Sequence, residues 1–79
     1  MTVGICKVKS NGTSPDNTST FDNVASSTAC RDRCLINELC TGYQWITNAN
    51  IQLKNCAAFT ETQVVEGNGD DEDFECYFV

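Results

Sequence analysis

Residues 30–45 read CRDRCLINELCTGYQW and hold three of the six cysteines of the chain. Cys30 and Cys34 are four residues apart, a spacing that places two side chains on the same face of a helix. Tyr43 and Trp45 are two residues apart and would share one face of a strand. The stretch therefore predicts a short helix, a tight return and a strand. None of its side chains is typical of a catalytic site.

The cysteine content indicates how so short a chain is stabilised. The chain has 79 residues, six cysteines and no histidine, and we expect a single domain over residues 1–79. A domain of this size buries a thin core, and disulfides commonly compensate. An even cysteine count in a short chain is typical of a disulfide framework in a secreted or cell-surface protein. A zinc site is disfavoured, because there is no histidine and no Cys-x-x-Cys pair.

The charge of the chain excludes several classes of partner. Eleven acidic residues against five basic ones leave a formal charge of −6. Nucleic acid, heparin-like polyanions and anionic membranes need a basic patch, so none is an expected partner. No apolar run approaches the roughly 20 residues of a membrane span. The first five residues, MTVGI, lack the features of a signal peptide, and we expect a module excised from a longer or tandem-repeat extracellular protein.

Periodicity and turn residues predict one helix and several short strands. The helix starts at Ser26, Ser27 or Thr28 and runs to about Asn37. A loop over residues 10–28 is interrupted by a short edge strand near Phe21. The predicted strands cover residues 3–9, 41–46, 51–59, 63–65 and 74–79. The fold class is thus α+β, with one helix packed on a four- to five-stranded antiparallel sheet.

Two leucines follow the helical cysteines and lie well away from their face. We expect the turn after the helix to fold Leu35 and Leu39 under. The alternative is an exposed apolar patch that would suit a partner surface.

Two glycosylation patterns lie in the Ser/Thr-rich loop. Asn11-Gly12-Thr13 and Asn17-Thr18-Ser19 both match the N-glycosylation acceptor. We expect a glycan on at least one of Asn11 and Asn17, and the hydroxyl cluster suits O-glycosylation. The alternative is an unmodified, solvated loop.

An acidic run near the C-terminus spans residues 66–75. Its carboxylates suggest calcium at Asp70, Asp71 and Asp73, since calcium takes clustered oxygen ligands. EF-hand spacing is absent, so a solvated loop with no metal is the favoured interpretation. A third interpretation is a contact for a basic partner.

The cysteine order as a whole resembles one known family. The pattern is Cys6, Cys30-x3-Cys34-x5-Cys40-x-Gly-Tyr-x-Trp, Cys56-x-x-Phe and a terminal Cys76, and it is similar to that of PAN/apple domains over nearly the whole chain. The resemblance implies the disulfide pairs Cys6–Cys76, Cys30–Cys56 and Cys34–Cys40. The family varies at the outer pair, so that bridge depends on the Cys6 and Cys76 of this sequence. The resemblance also implies that Tyr43 and Trp45 pack in the core against the helix. The alternative is that they are exposed and stack on a sugar.

The resemblance also implies a function. PAN/apple domains are non-catalytic modules that bind proteins or carbohydrates, and they need no cofactor. The heparin-binding members use basic residues, and this chain has only Lys7, Lys9, Arg31, Arg33 and Lys54. An enzyme is disfavoured independently, because there is no histidine and no serine in a nucleophile-elbow setting.

A second functional class remains open from the sequence. The Ser/Thr-rich loop with its two acceptor patterns also suits a glycosylated structural repeat of an extracellular fibre, sheath or matrix. The partners would then be identical neighbouring modules.

Overall fold

Helix and strands form three layers in the computed structural model, which describes all 79 residues. The elements are β1 (Thr2–Val3), β2 (Cys6–Val8), β3 (Ser19–Phe21), α1 (Ser27–Ile36), β4 (Gly42–Ile46), β5 (Cys56–Phe59), β6 (Val65–Gly67) and β7 (Phe74–Phe78). A five-stranded sheet has the order β1-β7-β4-β5-β3, and β2 pairs with β6 in a second sheet. All pairings are antiparallel. The chain is therefore a small disulfide-rich α+β domain.

The helix is held by its cysteines more than by a broad apolar face. Ser26 caps its start, where the side-chain oxygen accepts the backbone N–H of Ala29 at 3.1 Å. Cys30 and Cys34 are its only buried residues. Asn37 ends the helix in an extended conformation and donates its backbone N–H to the carbonyl of Cys34. Such a helix depends on its covalent links to the sheet.

Two separate cores lie on the two faces of the large sheet. On the helix side the buried residues are Val24, Cys30, Cys34, Tyr43, Cys56 and Ala58. On the other side they are Cys6, Val8, Phe59, Val65 and Cys76, under the small sheet. Each core is thus built around disulfide-bonded cysteines.

Two of the three disulfides link the layers, and the third, Cys34–Cys40, joins the end of the helix to the return before β4. Cys6–Cys76, Cys30–Cys56 and Cys34–Cys40 have Cα–Cα distances of 5.2, 5.5 and 5.4 Å, and these are the pairs that the resemblance implies. The first bridge closes a separation of 70 residues, which constrains the unfolded chain by about 4 kcal/mol in the loop-entropy description. No cysteine is free, and the three bridges indicate folding in an oxidising environment.

The predicted first strand over residues 3–9 is wrong in one respect. Gly4 has a φ of 109°, a backbone conformation that side chains disfavour, and it separates β1 from β2. As a result β1 pairs with β7 and β2 pairs with β6. Cys6 and Val8 do share the inward face of β2.

Two later strands begin further along the chain than predicted. Residues 51–55 turn before β5, and Lys54 has a φ of 52°, so the predicted strand over 51–59 starts only at Cys56. The predicted strand over 63–65 lies instead at Val65–Gly67, where it pairs with β2. Both errors come from apolar residues, such as Leu53 and Val64, that are exposed in loops.

The expectation that the turn folds Leu35 and Leu39 under is wrong. Leu35 is 48 % exposed and Leu39 is 75 % exposed. The reason is the short Cys34–Cys40 bridge, which brings the chain straight back to β4 with no room for an apolar layer beneath the turn. No helix of the chain has the length and apolar character needed to cross a membrane.

Candidate functional site

A groove opens on the sheet face that is opposite the helix. Its volume is about 300 Å³, at the lower end of the range for small-ligand sites. The residues that line it come from three parts of the chain: Ser14, Pro15, Thr18 and Thr20 on one wall, Gln44, Ile46, Ala57, Phe59 and Phe74 along the sheet, and Ile5, Cys6 and Lys54 at the edges. We call this set of residues the back groove.

Strand register brings the central residues of the back groove together. Gln44 lies opposite Ala57, and Ala57 lies opposite Thr20 on the next strand. Side chains that face one another across neighbouring strands lie on the same side of a sheet. One row across β4, β5 and β3 therefore presents a carboxamide, a methyl group and a hydroxyl. The small Ala57 leaves the space above the row open.

Gln44 links the groove to the second core. Its Oε1 accepts the backbone N–H of Cys6 at 2.8 Å, and Cys6 is bridged to Cys76. Because the oxygen is occupied, the amide group of the same side chain can present its N–H donors to a ligand. The carboxamide is thus oriented by the fold before any ligand binds.

The outer wall is a loop that is anchored to the body of the domain. The backbone N–H of Asp16 donates to Glu61 Oε1 at 3.3 Å, and the Thr18 hydroxyl donates to the carbonyl of Pro15 at 2.9 Å. The backbone N–H of Gln63 donates to the other oxygen of the buried Glu61 at 2.9 Å. This bond, together with the one from Asp16, lowers the pKa of Glu61, while burial opposes the shift. The charged Glu61 therefore fixes the loop that forms the outer wall of the back groove, through its hydrogen bond with Asp16.

Lys54 is the only charged residue that lines the back groove. Its backbone is in the left-handed region, with a φ of 52°, and its N–H donates to Asp22 Oδ1 at 2.7 Å. The next residue, Asn55, is buried and exchanges two side-chain hydrogen bonds with the backbone of Val24. The backbone that carries Lys54 is thus fixed on both sides.

The predicted glycosylation residues are accessible but lie outside the back groove. Asn11 is exposed, and its Oδ1 accepts both the N–H and the hydroxyl of Thr13. Asn17 is exposed with a φ of 56°, and it lines a small cleft with Ser19 and Arg33. Glycans on both residues stay a prediction. Asn17 does not line the back groove, whereas its neighbour Thr18 does.

The side chains of the acidic loop make local hydrogen bonds. No group of three or more His, Cys, Asp or Glu side chains is placed so that it could hold an ion. Asp71 Oδ1 accepts the backbone N–H of Asp73 at 3.0 Å, and the N–H of Asp70 donates to Asn68 Oδ1 at 3.0 Å. These bonds are local turns, and calcium at Asp70, Asp71 and Asp73 stays the disfavoured interpretation.

The aromatic residues of β4 face the helix. Tyr43 is buried, and Trp45 packs against the same core, so the core interpretation is confirmed and an exposed sugar-stacking pair is not present. Tyr77 stacks on Tyr43 with ring centroids 4.6 Å apart, while Phe78 is exposed. Burial, aided by the hydrogen bond from its hydroxyl to Glu75 Oε1 at 2.7 Å, raises the pKa of Tyr77 to about 12.

The residues of the back groove were not predicted from the sequence. One signal was present: Gln44 alternates with Tyr43 and Trp45, so it belongs to the face away from the helix. Thr20 and Lys54 carried no such signal, because the pairing of β3 with β5 is a long-range contact.

No family model, no curated protein and no solved structure matches this chain. A function is therefore inferred from its own residues.

Proposed function

We propose that this chain is a non-catalytic extracellular module of the PAN/apple type, and that it binds a carbohydrate or protein ligand through the back groove. The observation that carries the proposal is the combination of neutral polar groups with an apolar floor in one preformed groove. The hydroxyls of Ser14, Thr18 and Thr20 and the carboxamide of Gln44 line it. Ile46 and Phe74 supply apolar surface beside them.

This lining suits a saccharide better than an extended peptide. A sugar ring has hydroxyls around its edge and C–H groups on its faces, so it needs neutral hydrogen-bonding groups beside apolar surface. A peptide that adds a strand to a sheet needs a free edge, whereas the back groove lies across the face of β4 and β5. Cys6–Cys76 and Cys30–Cys56 anchor β7 and β5 of this sheet to the neighbouring layers, and preorganised sites lose less entropy on binding.

The proposal is tested by NMR on the isotope-labelled chain produced without glycosylation. Mixtures of saccharides and short peptides are added, and we expect shifts in the amide signals around Ala57 and Thr20. Thr20→Trp fills the groove and should abolish these shifts. Ser19→Trp is the matched control, because Ser19 is the neighbouring exposed residue of β3 and does not line the groove. Binding that survives Thr20→Trp would contradict the proposal.

A structural repeat unit is the second candidate function, and one observation favours it. Thr2 pairs with Cys76, so the N-terminus runs beside the last strand. Met1, Phe78 and Val79 are exposed there, at 66, 46 and 63 %. An apolar patch at joined termini suits contact with an identical module. Sedimentation of the chain at high concentration tests this candidate: a monomer throughout would contradict it, and association that Val79→Asp abolishes would support it.

A further inference from the structure

The charges around the back groove point to a particular class of ligand. The chain has eleven acidic residues, and none of them lines this groove, whereas Lys54 does. The lining of the groove therefore carries one positive charge and no negative one, on a protein whose formal charge is −6. We propose that the ligand of the back groove is a sugar that carries one carboxylate, of the uronic acid class, with its carboxylate at Lys54. This inference rests on the proposed function.

The number of positive charges decides between one carboxylate and many. A polyanion such as heparin is held by a patch of basic residues, and the lining contains a single lysine. The acidic residues elsewhere on the surface would repel the further charges of a polyanion. A single carboxylate, by contrast, forms one charge-assisted hydrogen bond with the ammonium group and brings no further charges to be repelled.

The remaining polar groups in the groove fit the rest of such a sugar. The hydroxyl of Thr20 can donate or accept. The hydroxyl of Thr18 can accept, since its proton goes to the carbonyl of Pro15, and the amide of Gln44 supplies donors, since its oxygen already accepts from Cys6. The sugar ring would lie between these groups and the apolar surface of Phe74. A fatty acid or other apolar carboxylate would leave the hydroxyls and the amide without partners, which costs binding energy.

The position of Lys54 is set by the fold. Its N–H is bonded to Asp22 Oδ1, and Asp22 itself does not line the groove. The bond directs the carboxylate of Asp22 to the backbone of Lys54. Asp22 thus fixes the backbone of Lys54, and Lys54 itself lines the edge of the groove.

The test compares acidic and neutral sugars that differ only at one carbon. The methyl glycosides of glucuronic and galacturonic acid are titrated into the labelled chain at pH 7, beside methyl glucoside and methyl galactoside, and amide shifts at Ala57 and Thr20 are followed. We expect at least one uronide to bind about three- to tenfold more tightly than its neutral counterpart, as one partly exposed charged contact allows.

Two variants locate the charge effect. Lys54→Asn removes the charge while keeping a residue that tolerates the left-handed backbone, and it should remove the preference for the uronide. Lys9→Gln removes the same charge away from the groove, where Lys9 lines other clefts, and it should keep the preference. Circular dichroism of both variants checks that the fold is intact.

The outcomes separate this inference from the proposed function. Equal binding of acidic and neutral sugars in the groove would overturn the inference and leave the proposed function standing. Loss of the preference in Lys9→Gln, or its persistence in Lys54→Asn, would also overturn it. If neither uronide shifts the groove signals, the inference fails, and if no saccharide or peptide shifts them, the proposed function fails with it.

Discussion

Asn55→Asp is the substitution that tests the structural account most directly. Asn55 is 4 % exposed, and its carboxamide pairs with the backbone of Val24 as a second strand would. Its Oδ1 accepts the N–H of Val24 at 3.0 Å, and its Nδ2 donates to the carbonyl of Val24 at 2.8 Å. Aspartate has the same shape and keeps the acceptor but loses the donor, so a buried carbonyl then faces a carboxylate.

The expected cost at pH 7 follows from these contacts. A buried carbonyl without its partner costs about 1–3 kcal/mol, and burial of a carboxylate that has no counter-charge adds to this. We expect the free energy of unfolding to fall by about 3 kcal/mol, which for a domain of this size lowers the melting temperature by about 12–24 °C. Burial raises the pKa of the introduced carboxyl above its unfolded value of about 3.9. The destabilisation is therefore smallest below that pH, where the protonated carboxyl can donate to Val24, and grows as the pH rises through the raised pKa.

The assay is unfolding by guanidinium chloride at pH 3 and pH 7 with the disulfides intact, followed by the fluorescence of Trp45, the single tryptophan. Asn48→Asp is the matched control. Asn48 Oδ1 accepts only the backbone N–H of Asn50 at 3.0 Å, which a carboxylate also accepts, so we expect a change within about 0.5 kcal/mol. A loss below about 1 kcal/mol for Asn55→Asp at pH 7, or the same loss at both pH values, would refute the reasoning.

Three further predictions concern the core, the tyrosines and the wall of the groove. Gly42→Ala should lower the free energy of unfolding by about 1–3 kcal/mol, because a Cβ there would lie 2.6 Å from the ring of Phe59. The measurement is the denaturation midpoint, and an unchanged midpoint would contradict the close approach. In a titration followed by phenolate absorbance, Tyr77 should ionise near pH 12. The stability that its neutral form contributes is therefore complete below about pH 10 and is lost as the pH rises through 12. Tyr77→Phe should remove that transition, and a wild-type midpoint near 10 for every tyrosine would contradict the prediction. Since its folded pKa is lowered, charged Glu61 contributes stability above the unfolded pKa of about 4.3, and this is lost as the pH falls through the folded value. Glu61→Gln should therefore lower the melting temperature at pH 7 but not in acid, and an equal effect at both pH values would argue against the bonds from Gln63 and Asp16.

The sequence was most informative where structure depends on neighbours in the chain. The spacing of Cys30 and Cys34 predicted the helix, and Ser26 was among the three residues expected to start it. Alternation in residues 43–45 placed Tyr43 and Trp45 on one face of the strand, and the resemblance to PAN/apple domains implied that this face is toward the helix. These features are local, because helix periodicity, capping and strand alternation depend on residues at most a few positions apart.

Other features could not be read from the chain. The break of the first strand at Gly4 depends on two different partners, β7 for β1 and β6 for β2, and the sequence does not show which strands pair. The exposure of Leu39 depends on the tight return imposed by the Cys34–Cys40 bridge. The expectation that Leu35 and Leu39 are folded under the turn was wrong, because both are exposed.

The chain by itself thus determined an α+β class, a helix with two cysteines on one face and a central strand with its two aromatic residues on one face. Only the tertiary structure decided that the opposite face carries a groove, because Thr20, Gln44 and Lys54 come from three separated segments that strand pairing brings together. The physical reason is that a binding site consists of side chains from separate segments that tertiary contacts bring together. Local sequence fixes the direction in which each side chain points, but long-range pairing decides what stands beside it.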